Sequence, residues 1–460
     1  MTATNGVESG VDAEVDVVVI GQGPGGEHVA ARLAEGGLDV VAVESRLVGG
    51  ECPYFGCVPS KMMLAAATTL DEARRVRGMA GTAEVHPDWT PVADRIRDEA
   101  TDDWDDTVAV KRLQDAGVTF VRGTGRLAGA RRVEVAGTTY VARRGVVLNP
   151  GTDPAVPPIE GLAGTPYWTN RDVVRLKELP GSMAVIGGGA IGVELAQALH
   201  SFGVEVTVVE IAPHLLPMEE SEAGAALEKA LTAAGIRVHT GASIGSVSYA
   251  DGGFTLDLGD LQVTADKLLV AAGRRNLLSD LGLDTVGLDP EARSLDTDER
   301  MRVTDGLWAI GDVTGKGAFT HISMYQAAIA VRDLLGQDGP PADYRAVPRV
   351  TFTHPEVASV GLSEAQARER GLDVRTALVE DLGARGWIAK QEGLVKLVAD
   401  RERGILVGAT VVGPVAGEVL SMLSTAVHAE VPVSTLRSMV FAYPTLHRTV
   451  ESALGGLDLT

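Results

Sequence analysis

Two segments of the sequence repeat each other almost residue for residue, and this internal repeat constrains the fold more than any other feature. Residues 15–44 and 182–210 each contain an apolar run rich in β-branched residues, a glycine-rich loop, an alanine- and leucine-rich stretch and a second apolar run. Such apolar runs are typical of buried parallel strands, and the stretch between them has helical spacing. Each copy therefore predicts a β-α-β unit, and the pair predicts an α/β protein.

Each copy carries the pattern G-x-G-x-x-G directly after its first predicted strand. In both copies a glutamate follows the first glycine by 23 residues. The copies supply, in order, Gly21, Gly23 and Gly26 with Glu44, and Gly187, Gly189 and Gly192 with Glu210. The first glycine permits a tight turn, the second lets backbone N–H groups approach a pyrophosphate, and the third lets the helix pack on the strand. We therefore expect two Rossmann-like domains, in which the glutamates accept hydrogen bonds from the ribose hydroxyls of an adenosine.

The second copy favours NADH over NADPH. A carboxylate at Glu210 would repel a 2′-phosphate, and no arginine occurs between residues 211 and 227. His214 is the one possible cation in that stretch, and we interpret it as a loop residue. The sequence therefore predicts NAD(H) as the nucleotide of the second copy, with NADPH as the less favoured alternative.

Charge and composition exclude several classes of partner. The chain has 460 residues, with 41 basic and 62 acidic side chains and a net charge of −21, which disfavours binding to nucleic acid or to an anionic membrane. No apolar run reaches the roughly 18 residues that a membrane-spanning helix needs. The N-terminus is acidic and polar, unlike a signal peptide. We expect a cytoplasmic protein whose partners are small molecules. Residues 1–13 are expected to form a flexible tail.

The only two cysteines lie close together in a glycine-rich turn. Cys52 and Cys57 are separated by four residues and precede a predicted helix that opens at Pro59. The partial positive charge of a helix N-terminus favours the thiolate form, which thiol exchange requires. No further cysteine or histidine lies nearby to complete a set of four metal ligands, so we predict no metal site.

These motifs resemble those of the class I flavin disulfide reductases, the family of dihydrolipoyl dehydrogenase and mercuric reductase. The resemblance extends from about residue 14 to residue 456. The matching motifs are GQGPGG at 21–26, GGECPYFGCVPSK at 49–61, GGGAIGVELA at 187–196, AAGRR at 271–275 and LWAIGDV at 307–313. The resemblance implies FAD on the first copy of the repeat and a nicotinamide nucleotide on the second.

The resemblance also implies roles for individual residues. Cys52 would be the interchange thiol that attacks the substrate, and Cys57 the charge-transfer thiol against the flavin, the two forming a redox disulfide. Lys61 and Glu194 match the ion pair beside the flavin N5, where a cation helps the reduced ring to carry negative charge. Asp312 would bind the ribityl chain. The remaining cofactor-binding positions implied are Gly151, Gly273, Arg274 and Gly311.

The implied domain organisation has three parts. Residues 14–157 and 276–344 would form the FAD-binding domain, and residues 158–275 the NAD-binding domain. Residues 345–460 would form an α+β interface domain, through which members of the family dimerise and share each active site between subunits. A homodimer is therefore expected.

The C-terminal segment departs from the family pattern. Disulfide reductases of this family usually end in His-Pro-Thr-x-x-Glu, whose histidine exchanges protons with the interchange thiol. Here Tyr443 stands at the histidine position and Arg448 at the glutamate position. A phenol is a poor proton carrier at neutral pH. His447 and Glu451, four residues apart, could supply a displaced histidine–carboxylate pair on a helix, although a surface histidine is an equally good interpretation.

Three functions remain open at this point. The first passes electrons from NADH through FAD and the two cysteines to a disulfide, thiol or other thiophilic acceptor. The second passes them directly from the flavin to a quinone, as the missing histidine would allow. The third is a non-catalytic cofactor-binding subunit, which the retention of both thiols disfavours. Mercury is disfavoured because the chain lacks a second cysteine pair near its C-terminus. The bulky residues Pro53, Tyr54 and Phe55 are candidates for selecting the acceptor.

Overall fold

The computed structural model describes residues 12–459, which form two compact units. The first unit contains the described residues up to Pro59, together with Arg97–Asp153 and Arg274–Asp343. The second contains Ser60–Ile96, Pro154–Gly273 and the described residues from Tyr344 onward. The predicted tail, residues 1–13, lies outside the described residues except for its last two, which begin the first strand.

The first unit is built on one large sheet. Its central strands run parallel, because Asp12–Ile20 pairs in parallel with Val40–Glu44 on one side and with Thr138–Leu148 on the other. Along the main path the strands follow the order Arg302–Thr304, Leu307–Ala309, Thr138–Leu148, Asp12–Ile20, Val40–Glu44 and Thr119–Arg122. Two short strands, Arg126–Leu127 and Arg132–Val135, extend the sheet beside Thr138–Leu148. A separate pair joins Thr152–Pro154 to Arg274–Asn276.

Helices and short helical turns connect these strands. The helices are Pro24–Glu35, Glu51–Tyr54, Thr107–Asp115 and Thr320–Leu334, with 3-10 turns at Leu283–Val286 and Gly311–Thr314. Helix Cys57–Arg75 begins at the end of the first unit and continues into the second, where Thr90–Arg95 follows it and leads into a π-helical turn, Ile96–Ala100. Val17, Val18 and Val19 of the first strand are fully buried, as expected for a strand covered on both faces.

The second unit contains three sheets. The parallel sheet has the order Arg237–His239, Glu205–Val209, Ser182–Ile186 and Lys267–Val270. A three-stranded meander follows the order Ser246–Ala250, Gly253–Asp257 and Gln262–Ala265. The five-stranded antiparallel sheet has the order Pro348–Thr351, Glu356–Gly361, Ile405–Gly413, Leu394–Asp400 and Val374–Val379.

The helices of the second unit complete these layers. They are Asn170–Val173, Ala190–Ser201, Ser221–Ala234, Glu364–Glu369, Gly383–Ala389, Ala416–His428, Val433–Arg437 and His447–Gly456. Leu420 and Leu423 of Ala416–His428 pack with Leu397 and Val411 of the antiparallel sheet in one buried apolar cluster. No helix within residues 12–459 is long and apolar enough to cross a membrane.

The predicted fold class is confirmed, and the repeat extends further than its sequence showed. Both copies form the expected strand–helix–strand unit with parallel pairing. Each first strand also pairs in parallel with a third strand, Thr138–Leu148 in the first unit and Lys267–Val270 in the second. The division into FAD-binding, NAD-binding and interface domains remains a prediction.

A buried lysine anchors the antiparallel sheet of the second unit. The Lys396 side chain is 5% exposed, and its ammonium contacts the carboxylates of Glu220 at 2.9 Å, Glu222 at 2.7 Å and Glu364 at 3.0 Å. Burial alone would lower the pKa of Lys396, but its three carboxylate partners raise it above the usual value. The lysine therefore stays charged and neutralises part of a cluster of three acids.

We expect Lys396→Met to reduce the free energy of unfolding by roughly 3 kcal/mol, because it leaves three carboxylates without their shared cation. The matched control is Lys229→Met, which removes an exposed ion pair with Glu392 and should change stability by less than about 1 kcal/mol. Urea unfolding of both variants measures the difference. Equal losses in the two variants would contradict this account of the cluster.

Candidate active site

The first glycine loop has the geometry of a dinucleotide cradle. Gly21 has a φ of +89°, and its N–H donates to the Val43 carbonyl at 2.9 Å. A Cβ atom on Gly26 would lie 1.9 Å from the Gly21 carbonyl oxygen, so only glycine allows the helix to approach the strand this closely. Gly23 is the N-cap of helix Pro24–Glu35, whose N-terminus favours a phosphate.

The second loop reproduces this geometry. Gly187 has a φ of +114°, and a Cβ on Gly192 would again lie 1.9 Å from the carbonyl oxygen of the first glycine. A Cβ on Gly189, the N-cap of helix Ala190–Ser201, would meet no atom within 4 Å. The side that would face the pyrophosphate is therefore open. Both loops fit the phosphates of a bound dinucleotide.

The two glutamates hold their own loops through backbone hydrogen bonds. The Glu44 carboxylate accepts from the N–H groups of Gln22 and Arg46, each at 2.7 Å. Glu210 accepts from Gly188 at 2.6 Å and from Ala212 at 2.7 Å. Each carboxylate oxygen has a second lone pair with which it can accept a ribose hydroxyl. Each glutamate thus ties its glycine loop to the residues that follow the second strand.

Asn149 and Gly151 follow strand Thr138–Leu148, the third strand of the first repeat. In the orientation that satisfies both ends of its amide, Asn149 donates to the Ile310 carbonyl at 3.2 Å and accepts from the Gly26 N–H at 3.0 Å. It thereby caps an N–H group in the first turn of a helix, which has no partner within that helix. Gly151, with φ +72°, matches Gly273, with φ +117°, which follows the third strand of the second repeat.

Asp312 lies at one end of a polar chain in the first unit. Arg274 Nε donates to the Thr152 hydroxyl at 2.5 Å, and that hydroxyl donates to the Asp312 carboxylate at 3.1 Å. Arg274 also contacts the carboxylate of Glu51, the residue before Cys52, at 3.3 Å. Burial raises the pKa of Asp312. Asp312 and Arg274 were expected from the family resemblance, but nothing in the sequence indicated the link through Thr152 and Glu51.

The turn from Cys52 to Cys57, which we call the redox turn, places both cysteines at the starts of helices. Cys52 belongs to the short helix Glu51–Tyr54, and Cys57 is the first residue of helix Cys57–Arg75. Cys52 is half-buried, and Cys57 is exposed. The Cys57 sulfur lies 3.4 Å from the hydroxyl oxygen of Thr320, a residue that the sequence analysis did not identify.

A strained segment contacts the redox turn at Tyr54. Asp102, Asp103 and Trp104 are three consecutive non-glycine residues with left-handed φ angles of 48°, 53° and 59°. Such conformations cost about 1–3 kcal/mol each and persist only where surrounding contacts impose them. The Trp104 indole N–H donates to the Tyr54 carbonyl at 3.1 Å. Tyr54 donates in turn to the Asp105 carbonyl at 3.5 Å.

Asp106 completes this segment, residues 101–106, which we call the clamp. Its carboxylate accepts from the Val48 N–H at 2.7 Å and pairs with Arg122 at 2.6 Å. The clamp therefore contacts the chain on both sides of Cys52. Tyr54 is only 6% exposed, and its hydroxyl contacts the clamp at the Asp105 carbonyl. Pro53 and Phe55 remain the candidates within the turn for selecting the acceptor.

Lys61 and Glu194 lie together in the second unit. Their side chains form an ion pair of 2.7 Å, with Glu194 only 5% exposed. The other oxygen of Glu194 accepts from the Phe352 N–H at 2.8 Å, and the Lys61 ammonium lies 4.7 Å from the centre of the Phe352 ring. Phe352 is therefore a third member of the group, which the sequence spacing did not reveal.

The C-terminal residues are arranged differently from the predicted pair. Helix His447–Gly456 begins at His447, and the Glu451 carboxylate forms an ion pair with Arg448. Within the described part of the chain, no hydrogen bond or ion pair joins His447 to Glu451. Tyr443 is 73% exposed in the single chain. The catalytic roles of these residues remain predictions.

No group of three or more histidine, cysteine, aspartate or glutamate side chains within residues 12–459 could hold a metal ion. The residues described above include two thiols, two glycine-rich loops and a lysine–glutamate ion pair. All of these match one protein family. Residues 15–330 match the family model described as pyridine nucleotide-disulphide oxidoreductase, and residues 347–454 match the dimerisation domain of the same family.

The chain belongs to this family. It is 34% identical to the dihydrolipoyl dehydrogenase of Chlorobaculum tepidum, over 96% of each chain. It is also 34% identical to that of Thermus scotoductus, over 96% of this chain and 97% of the relative. It is therefore an FAD-dependent oxidoreductase that uses a pyridine nucleotide and a redox disulfide, as the sequence analysis expected.

Solved structures of the family support the same conclusion. The HOCl-induced flavoprotein disulfide reductase RclA from Escherichia coli has a TM-score of 0.83 at 27% identity, over 96% of this chain and 99% of that chain. LpdA from Mycobacterium tuberculosis has the same TM-score, identity and coverage. The match to a dimerisation domain supports the expected homodimer.

We expect Asp312→Asn to raise the free energy of unfolding of the flavin-free protein at neutral pH. The raised pKa of Asp312 means that folding disfavours its ionised form, so the neutral amide removes this cost. The gain should shrink as the pH falls toward the ordinary aspartate pKa, where the wild-type carboxyl is also neutral. Thermal unfolding across pH measures it, with the exposed Asp305→Asn as the control. A gain in the free energy of unfolding that increases as the pH falls would contradict the raised pKa of Asp312.

We expect Trp104→Phe to cost about 1 kcal/mol of stability, because it leaves the Tyr54 carbonyl without its indole donor. It should also speed backbone hydrogen exchange in residues 48–57. The matched control is Trp89→Phe, which removes an equivalent bond from a buried indole to the Leu176 carbonyl at 2.8 Å. The control should lose similar stability without faster exchange in the redox turn. Identical exchange in both variants would show that the clamp does not hold the turn.

Proposed function

We propose that this enzyme transfers electrons from NADH to a small disulfide or other thiophilic acceptor through Cys52 and Cys57. The observation that carries the proposal is the placement of both thiols in one turn, at helix N-termini, within the unit that contains the first nucleotide cradle. Bound FAD would supply hydride acceptance and two-electron reduction of the disulfide. The preference for NADH rests on Glu210, whose carboxylate is fixed beside the second loop.

The cofactors would be held by the residues already described. In the proposal, the N–H groups around Gly21, Gly23 and Gly26 bind the pyrophosphate of FAD, and Glu44 binds its ribose. Asp312, oriented by Thr152, would hold the ribityl chain. The corresponding positions for NAD(H) are Gly187, Gly189, Gly192 and Glu210. Gly151, Gly273, Arg274 and Gly311 would shape the walls of these sites.

Lys61 would act at the flavin as a fixed cation. Glu194 keeps the ammonium in place, and the Phe352 ring covers it, so the charge is held in a partly water-excluded position. A cation held in this way stabilises negative charge without reorganisation. This role is transferred from the family motif to Lys61 and Glu194.

The exchange half of the cycle follows from thiol chemistry. The Cys52 thiolate attacks a sulfur of the acceptor disulfide, which forms a mixed disulfide and releases the first substrate thiolate. The Cys57 thiolate then attacks the Cys52 sulfur, which closes the Cys52–Cys57 bond and releases the second thiolate. Two electrons have then passed to the acceptor, and its two thiolates take up two protons.

The proton donor in this exchange is the weakest part of the resemblance. Tyr443 replaces the family histidine, and Glu451 is paired with Arg448. His447 therefore remains the proposed proton carrier, and Arg448 holds the carboxylate that was expected to orient it. The replacement favours a second candidate function, direct electron transfer from the flavin to a quinone, which needs no such carrier. We further propose that the enzyme acts in the cytoplasm as a homodimer whose subunits share each active site.

Anaerobic titration with NADH and separately with NADPH tests the main proposal. We expect NADH to produce a long-wavelength absorbance band at two electrons per flavin, because a Cys57 thiolate in its proposed role would then contact oxidised FAD. We also expect NADPH to react more slowly. Direct bleaching of the flavin without that band would mean that the cysteines are bypassed and would favour the quinone function.

Replacement of the interchange thiol separates the two functions. Cys52→Ser should abolish disulfide reduction and leave reduction of the flavin by NADH intact, because a serine hydroxyl cannot attack a disulfide at neutral pH. Quinone turnover by the same variant serves as the internal control. Disulfide reduction that survives in Cys52→Ser would exclude the proposed role of Cys52.

A further inference from the structure

The Cys57 sulfur has a hydrogen-bonding partner that neither its motif nor its spacing indicated. Thr320 lies 263 residues further along the chain, yet its hydroxyl oxygen is 3.4 Å from the Cys57 sulfur. Both residues belong to the first unit. Long-range contacts of this kind cannot be read from a local pattern such as GGECPYFGCVPSK. The contact therefore adds a residue to the site that no motif supplied.

Two helix N-termini meet at this sulfur. Cys57 is the first residue of a 19-residue helix, and Thr320 is the first residue of the 15-residue helix Thr320–Leu334. Each helix N-terminus carries a partial positive charge and N–H groups without partners inside the helix. Negative charge on the Cys57 sulfur is therefore stabilised from two directions.

The direction of the hydrogen bond depends on the ionisation of the thiol. In the neutral state, either the thiol or the hydroxyl can donate. Once Cys57 is a thiolate it has no proton to give, so the Thr320 hydroxyl must donate to the charged sulfur. Hydrogen bonds to charged groups are stronger than those between neutral groups. The contact therefore favours the thiolate over the thiol.

The other titratable groups on the elements that meet here are already paired or stacked. The His321 ring stacks on Phe319, with 5.1 Å between the ring centres. Glu51, at the start of the Cys52 helix, contacts Arg274, and Lys61, on the Cys57 helix, pairs with Glu194. These groups, together with Cys52, contribute to the electrostatic environment of the Cys57 sulfur. A substitution at Thr320 leaves their contribution unchanged.

We propose that Thr320 is a catalytic residue, whose hydroxyl donates a hydrogen bond to the Cys57 thiolate and keeps this sulfur ionised in the reduced enzyme. The proposal rests on the proposed function, in which Cys57 attacks the mixed disulfide at Cys52. A thiolate is required for that attack, since the thiol is not the nucleophile. Thr320 thus increases the fraction of enzyme that can complete the exchange at neutral pH.

The test measures the ionisation of Cys57 directly. In a Cys52→Ser background Cys57 is the only thiol of the chain, so its alkylation by iodoacetamide across pH reports its pKa. We expect Thr320→Val, which has nearly the same shape but no hydroxyl, to move the midpoint upward by about 1 pH unit, a roughly tenfold change in the ionisation constant. Thr320→Ser retains a hydroxyl and should restore the wild-type midpoint.

The matched control is Thr69→Val. Thr69 lies on the same helix as Cys57, but its hydroxyl donates to the Ala65 carbonyl at 2.9 Å. Its replacement should leave the alkylation midpoint where it is in the parent. Equal midpoints in Thr320→Val and the parent would overturn the proposal, as would a shift in Thr320→Ser as large as that in Thr320→Val. Circular dichroism confirms that each variant retains its helices.

A second readout uses the holoenzyme with both cysteines present. The long-wavelength band of the two-electron-reduced enzyme should appear at higher pH in Thr320→Val than in wild type. If wild type shows no such band, the proposed electron path is wrong, yet the alkylation profiles still decide whether Thr320 stabilises the thiolate. If wild type shows the band and Thr320→Val titrates identically, the electron path stands and the role of Thr320 is excluded.

Discussion

The carboxylate at the end of the second strand of each repeat is the interaction on which both nucleotide cradles depend. Glu44 and Glu210 each accept two backbone N–H groups, one from the glycine loop and one from the residues that follow the strand. Each loop consists mostly of glycine, so few side chains define its shape. A charge-assisted bond from outside the loop supplies that definition. The close approach of Gly21 and Gly26 then sets the helix against the strand.

Much of this architecture could be predicted because its determinants are local. The two β-α-β units follow from residues that are close in sequence, and the glycines that the motif requires lie where a side chain would collide with backbone. Lys61 and Glu194 were identified only through the family motif, and the structure brings them together. Their partner Phe352 was not predicted. It contributes a backbone N–H, which nearly every residue type has, and a ring face, which does not mark a residue as part of a site.

The contacts that sequence analysis could not predict join distant parts of the chain. Thr320 reaches Cys57, Thr152 joins Arg274 to Asp312, and neither threonine belongs to a pattern with recognisable chemistry. At the C-terminus, helical spacing predicted a pair between His447 and Glu451 that the structure does not form. A separation of four residues allowed His447 to meet Glu451, but the Glu451 carboxylate pairs with the guanidinium of Arg448, whose fork of N–H groups matches a carboxylate.

The clamp changes what should be regarded as the functional unit around the two cysteines. The turn from Cys52 to Cys57 is only six residues long, and by its motif it looks like a self-contained cassette. Its backbone is held by Trp104 and Asp106, which are encoded about fifty residues downstream in a strained segment. A chimaera that received the turn alone would acquire the thiols without the support that orients them. Residues 48–57 and 101–106 are therefore two halves of one module and have to be exchanged together.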